Sequence, residues 1–81
     1  MRKKGAGKRA DGTIWINDPF YSNSDNDFIS VDECTAEIER RKYKLQNTNG
    51  LRLGERYIST TEIMEHYMEL KQAVLRLKGT D

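Results

Sequence analysis

The sequence predicts a mainly α fold: two antiparallel helices linked by a short β-hairpin or loop, preceded by an extended N-terminal arm. Three observations predict it. The phrase I-S-x-x-E occurs twice, as Ile29-Ser30-Val31-Asp32-Glu33 and as Ile58-Ser59-Thr60-Thr61-Glu62. After each copy, apolar residues recur at helical spacing. Before the first copy there is no such period.

Residues 1–12, MRKKGAGKRADG, hold three glycines and five bases and little that can pack. They read as a basic flexible tail. Residues 13–29 read as an extended aromatic arm. In it, TIWI is a β-prone run and Asn17-Asp18-Pro19 breaks it as a turn. Trp15, Phe20, Tyr21 and Phe28 are too many aromatics for a disordered spacer. Such rings in a polar segment act as anchors in pockets on a neighbouring chain. Packing over the chain's own helices is the alternative.

Residues 30–79 read as a helix–hairpin–helix domain. Ser30 and Ser59 are placed to cap the first-turn N–H groups, and Glu33 and Glu62 to reach back to the caps. Ile29 and Ile58 are placed to staple onto Cys34 and Ile63. The first helix is expected over 31–47, with Val31, Cys34, Ile38 and Leu45 on one stripe and Arg41 at the missing position. Asn47-Thr48-Asn49-Gly50 ends it, with Asn49 or Gly50 suited to a left-handed cap. Residues 51–58, LRLGERYI, read as a hairpin turning at Gly54-Glu55, pairing Leu51 with Ile58, Arg52 with Tyr57 and Leu53 with Arg56. Leu51, Leu53 and Ile58 then share the face that covers the helices; a plain loop is the other possibility. The second helix is expected over 60–78, with the seam Ile63, Tyr67, Leu70, Val74 and Leu77. Met64, Met68 and Leu75 widen this seam on one side, beyond what one helix covers, so part of it is expected to face another chain.

Composition narrows the function classes. At 81 residues the chain is one small domain, and about fifty residues sharing a core are marginal alone. Hydrophobic residues make up 36 % and charged residues 33 %, and the mean hydropathy is −0.87, so a partner or oligomer is the natural source of further burial. The net charge of +1 makes no strong electrostatic field. Arg2, Lys3, Lys4, Lys8 and Arg9 do cluster at the start, which suits either a solubilising tail or contact with nucleic acid. Cys34 is the single cysteine, so no internal disulfide forms, and a cytoplasmic setting is the default expectation. The start lacks the apolar core of a secretory signal, and no run is long enough to span a membrane.

No catalytic constellation is expected. His66 is the sole histidine; Glu62 and Glu65 beside it read as a solvated helix face. Cys34 sits where a small apolar residue is wanted and reads as an inert buried thiol. One Cys and one His do not build a zinc site, so neither metal nor cofactor is expected. GAGKRADG lacks the spacing of a phosphate loop.

The segment LRLGERYISTTEIMEHYMELKQAVLRLKG, with its pattern Gly54-x-Arg56-x-Ile58-Ser59, resembles the closing half of the gpW-type head–tail joining proteins of tailed phages. The resemblance covers residues 30–78; the aromatic segment at 1–29 departs from it. It implies a non-enzymatic connector subunit of the virion, assembled in the host cytoplasm. Its implied partners are portal or other neck proteins and copies of itself, with no membrane. The interface residues expected on this reading are Trp15, Phe20, Tyr21, Phe28, Met64 and Met68. The alternative is a small nucleic-acid-binding or regulatory protein using the basic tip. Both helices carry balanced charge, unlike a dedicated recognition helix.

Overall fold

The computed structural model describes residues 5–21 and 26–78, and it corrects the expected fold class. These residues do not form a helix pair with a free arm. They form two helices and two small antiparallel sheets, an α+β arrangement. The order is β1 (Ala6–Lys8), β2 (Ile14–Ile16), β3 (Asp27–Phe28), α1 (Val31–Gln46), β4 (Leu51–Leu53), β5 (Arg56–Ile58) and α2 (Thr60–Lys78).

The largest correction is at the N-terminal end. Asp11-Gly12 turns the chain back on itself. The Asp11 carboxylate accepts from the Thr13 N–H at 3.0 Å and from its hydroxyl at 2.7 Å, and Gly12 takes a φ of 95°, which favours glycine. The Arg9 N–H donates to the Thr13 carbonyl at 2.8 Å, closing the hairpin. β1 then pairs with β2 in the register Ala6↔Ile16, Gly7↔Trp15 and Lys8↔Ile14. β3 adds to the other side of β2, with Ile14 opposite Phe28 and Trp15 opposite Asp27.

Strand alternation explains why this segment is not an arm. Successive side chains point to opposite faces. Ala6, Ile14 and Ile16 face inward and are buried, and Phe28 packs against the same core. Gly7, Trp15 and Asp27 lie on the outer face, where the Trp15 indole covers Gly7 so closely that a Cβ there would sit 2.5 Å from the ring. β1 and β2 touch α2, and β3 touches α1, so the sheet bridges both helices.

α1 starts where the serine cap places it. Ser30 is extended, and its hydroxyl accepts from the Glu33 N–H at 3.1 Å. Ser59 caps α2 in the same way, accepting from the Glu62 N–H at 3.2 Å. The rest of the boxed pattern differs. Glu62 pairs with Arg56 at 2.6 Å, and Ile29 is 76 % exposed, so it does not staple onto Cys34. Ile58, by contrast, is fully buried. Lys71 reaches Glu39 and Lys78 reaches Asp32, pairs whose order shows the helices running antiparallel.

β4 and β5 pair as Leu51↔Ile58, Arg52↔Tyr57 and Leu53↔Arg56. Gly54 opens the turn at φ 63°. Gly50, at φ 94°, has no room for a side chain: a Cβ would lie 2.5 Å from the Ile58 carbonyl. The Tyr57 hydroxyl donates to the Asn49 carbonyl beside it. Leu51 is half-buried, but Leu53 stays at the surface, so the covering face is shorter than expected. The core is completed by Cys34 and Ile38 from α1 and by Ile63, Tyr67, Leu70 and Val74 from α2.

Candidate functional site

The most unusual chemistry in the fold is buried, and it begins at the gap in the α1 stripe. Arg41 occupies a core position and is 1 % exposed. A guanidinium there must be paired, because a lone buried charge is far costlier than a paired one. Its Nε donates to Glu37 at 2.9 Å, one turn back on α1. Its Nη1 donates to the Asp18 carboxylate at 2.8 Å and to the Asn26 side-chain oxygen at 3.0 Å. The Tyr21 ring lies 4.8 Å from the guanidinium carbon and the Phe28 ring 6.0 Å, within cation–π range.

Asp18 is the hub. It comes from the turn after β2, and its side chain is fully buried. One oxygen accepts from Arg41 and from the Tyr67 hydroxyl, each at 2.8 Å. The other accepts from the Phe20 N–H at 3.1 Å and lies 3.2 Å from His66 Nε2. Phe20 meets the His66 ring edge-on at 4.6 Å between centroids. Among the described residues no buried side-chain polar atom is left without a partner.

The electrostatics hold Asp18, Tyr67, Arg41 and Glu37 each in one charge state. Burial pushes the Asp18 carboxyl up, but hydrogen bonds from His66, Tyr67, Arg41 and the Phe20 N–H outweigh it and keep it below the usual range. Burial and the Asp18 charge drive the Tyr67 phenol well above its usual value. Burial opposes the Arg41 charge, yet Glu37 and Asp18 more than offset it, and its hold on the proton strengthens. Burial likewise raises Glu37, but Arg41 and Arg40 overcome it and lower it. An acid–base catalyst needs a group poised near the working pH; Asp18, Tyr67, Arg41 and Glu37 are all shifted away from it. Burial pushes the Cys34 thiol up to about 11, so it stays a protonated, inert thiol at neutral pH. The cluster acts as a lock that fastens the N-terminal sheet to α1 and α2.

The residues expected to grip a neighbour divide accordingly. Phe20, Tyr21 and Phe28 pack within their own chain, on His66 and around Arg41, and Trp15 lies half-buried over Gly7. All four rings are half-buried, and the inner face of this segment, Ala6, Ile14 and Ile16, is buried in the fold's own core. Met64 is half-buried against the core, while Met68 is 58 % exposed. Of the basic cluster, Lys8 is exposed at the end of β1, and Arg9 pairs with Asp27 at 2.7 Å across the sheet. Arg2, Lys3 and Lys4 lie outside the described residues. Sequence reasoning singled out Arg41 as a gap and missed Asp18 as its partner. Asp-Gly before a β-prone run was the available signal for the hairpin that brings Asp18 there.

A groove of about 240 Å³ runs along α2 beside His66, lined by Gly5, Glu69, Leu70, Ala73 and Arg76. Among the described residues no group of His, Cys, Asp and Glu is arranged to hold a metal ion. Among the described residues no helix is long and apolar enough to cross a membrane. Compared with family models, with curated proteins and with solved structures, the chain matches none.

Proposed function

We propose that the chain is a non-enzymatic assembly protein that works by holding other proteins. The joining of head and tail in a phage virion is the setting its resemblance implies. Portal or neck proteins and further copies of the chain are the partners in that setting, met during assembly in the host cytoplasm. Because the N-terminal segment folds as a sheet on the helices, this reading rests the contact on α2.

One observation carries the reading. Met64, Met68 and Leu75 fall within about 40° of one another around α2, along the edge of its core-facing side, where Met64 is half-buried against the core. Met68 and Leu75 remain 58 % and 40 % exposed although the interior of the domain is complete. Apolar surface left in water is unfavourable by about 25 cal/mol per Å². Single exposed hydrophobics are ordinary, but an aligned set on one helix face marks contact with another molecule. Methionine suits such a face because its flexible thioether adapts to a partner.

The test is a photo-crosslinking amino acid placed at position 68 of the full chain in its native cell. The expected product is a discrete crosslinked species, identified by mass spectrometry as a virion protein or a second copy. Absence of any crosslinked protein would sink the assembly reading.

A further inference from the structure

We infer that the exposed face of α2 pairs with the same face of a second copy, in an antiparallel two-fold dimer; this deepens the proposed assembly role by naming the occupant of that face. The argument rests on how charge and apolar surface are ordered along the helix. Going up α2, Met64 and Met68 lie before its midpoint and Leu75 after it. Beside this stripe, Glu65 lies in the first half and Arg76 in the second. Both are exposed, and among the described residues neither has an ion-pair partner.

Antiparallel pairing uses that order. Put a two-fold axis between Glu69 and Leu70, and Met64 of one copy meets Leu75 of the other, while the two Met68 side chains lie either side of the axis. In an antiparallel pair each flank of a helix faces the same flank of its mate. Glu65 therefore comes opposite Arg76 of the second copy, and Arg76 opposite its Glu65. Glu65 and Arg76 thus complement each other across the axis, as an isologous contact requires. In a parallel pairing each flank would face the opposite flank of its mate, so Glu65 and Arg76 would not meet across the contact.

The contact is also bounded in strength. α2 has 19 residues, about 28 Å of helix at 1.5 Å per residue. A single helix pair of that length buries less than the ~1,200 Å² of a standard interface. The dimer is accordingly reversible, and it weakens with salt because its ion pairs sit at the rim.

Sedimentation equilibrium of the full chain, from about 10 µM to about 1 mM at low salt, tests the dimer. The expected result is a monomer–dimer equilibrium with no larger species. Met68→Glu is expected to weaken association by at least about tenfold. Glu65→Arg and Arg76→Glu are each expected to weaken self-association, and an equimolar mixture of the two variants to recover it, since every pair across that mixed dimer is again of opposite sign. Both positions are exposed, so circular dichroism should show native helix content in each variant. Should Met68→Glu lose its fold, the charge-swap mixture decides alone. A monomer throughout the range overturns the inference, as does a dimer that the charge swaps leave unchanged or that their mixture fails to restore. If the chain is monomeric alone yet crosslinks through position 68 to a different protein, the dimer fails and the assembly role stands.

Discussion

Asp18 and Arg41 show how a single ion pair can decide the fate of a segment. Neither side chain reaches water, and each would be left underpaired without the other. Asp18→Ala is expected to cost about 3–5 kcal/mol, measured by urea unfolding, because it leaves the guanidinium buried and underpaired. Replacing both residues together by apolar ones of similar volume should cost far less, since no charge is then left behind. The pair also sets an acid limit. Asp18 and Glu37 have lower proton affinity folded than unfolded, so the unfolded chain binds more protons as pH falls. Their contribution is complete above the ordinary carboxylate range and is lost as pH drops through the lower, folded values. Thermal melts from neutral pH to acid should show a falling midpoint, and the Asp18→Ala variant a flatter profile. An unchanged slope in that variant would remove Asp18 as the group responsible.

At the scale of elements, the two serine caps behave alike although the rest of the I-S-x-x-E phrase does not. Ser59→Ala is expected to destabilise the protein by about 1 kcal/mol, since the Glu62 N–H loses its acceptor. A variant as stable as the parent in urea would show that water replaces the cap. On the buried seam of α2, Leu70 is 3 % exposed and lies under Gly5 of the N-terminal segment. Leu70→Ala is expected to cost about 2–5 kcal/mol, by lost transfer energy and the cavity it leaves. The helix extents and the β4–β5 register were legible locally, because caps, apolar period and a glycine turn are properties of neighbouring residues. The separate fates of Ile29 and Ile58 were not. They hold the same place in the repeated phrase, and only Ile58 has other elements folded over it.

For the whole molecule, the N-terminal sheet is part of the core and not an appendage. A fragment beginning at residue 29 would lose Ile14, Ile16 and Asp18 together, exposing the inner side of both helices and unpairing Arg41. That fragment is expected to be largely unfolded by circular dichroism at 25 °C, where the full chain is helical. Retention of native helix content and a cooperative melt would restore the helix pair as an independent domain. With the sheet in place, the described chain carries seven short elements around one core.

The amino-acid sequence by itself determined the helix starts at Ser30 and Ser59, the apolar seam of α2, and the stripe of Met64, Met68 and Leu75 that widens it. Each follows from spacing along one element, which periodicity and capping chemistry report directly. It also marked Arg41 as a charge where the α1 stripe wants an apolar side chain. Only the tertiary structure decided what answers that charge. Asp18 lies 23 residues away and Tyr67 reaches the same carboxylate from 49 residues away, and such pairings leave no local period to read. The direction of the aromatic segment was settled in the same way. Left to composition, Trp15, Phe20, Tyr21 and Phe28 fit a neighbour's pockets as well as their own chain. Burial of Ile14 and Ile16 draws the chain inward, and the Arg41–Asp18 pair fixes how it docks, because two charges removed from water are tolerated only where the donors and acceptors around them are all in place.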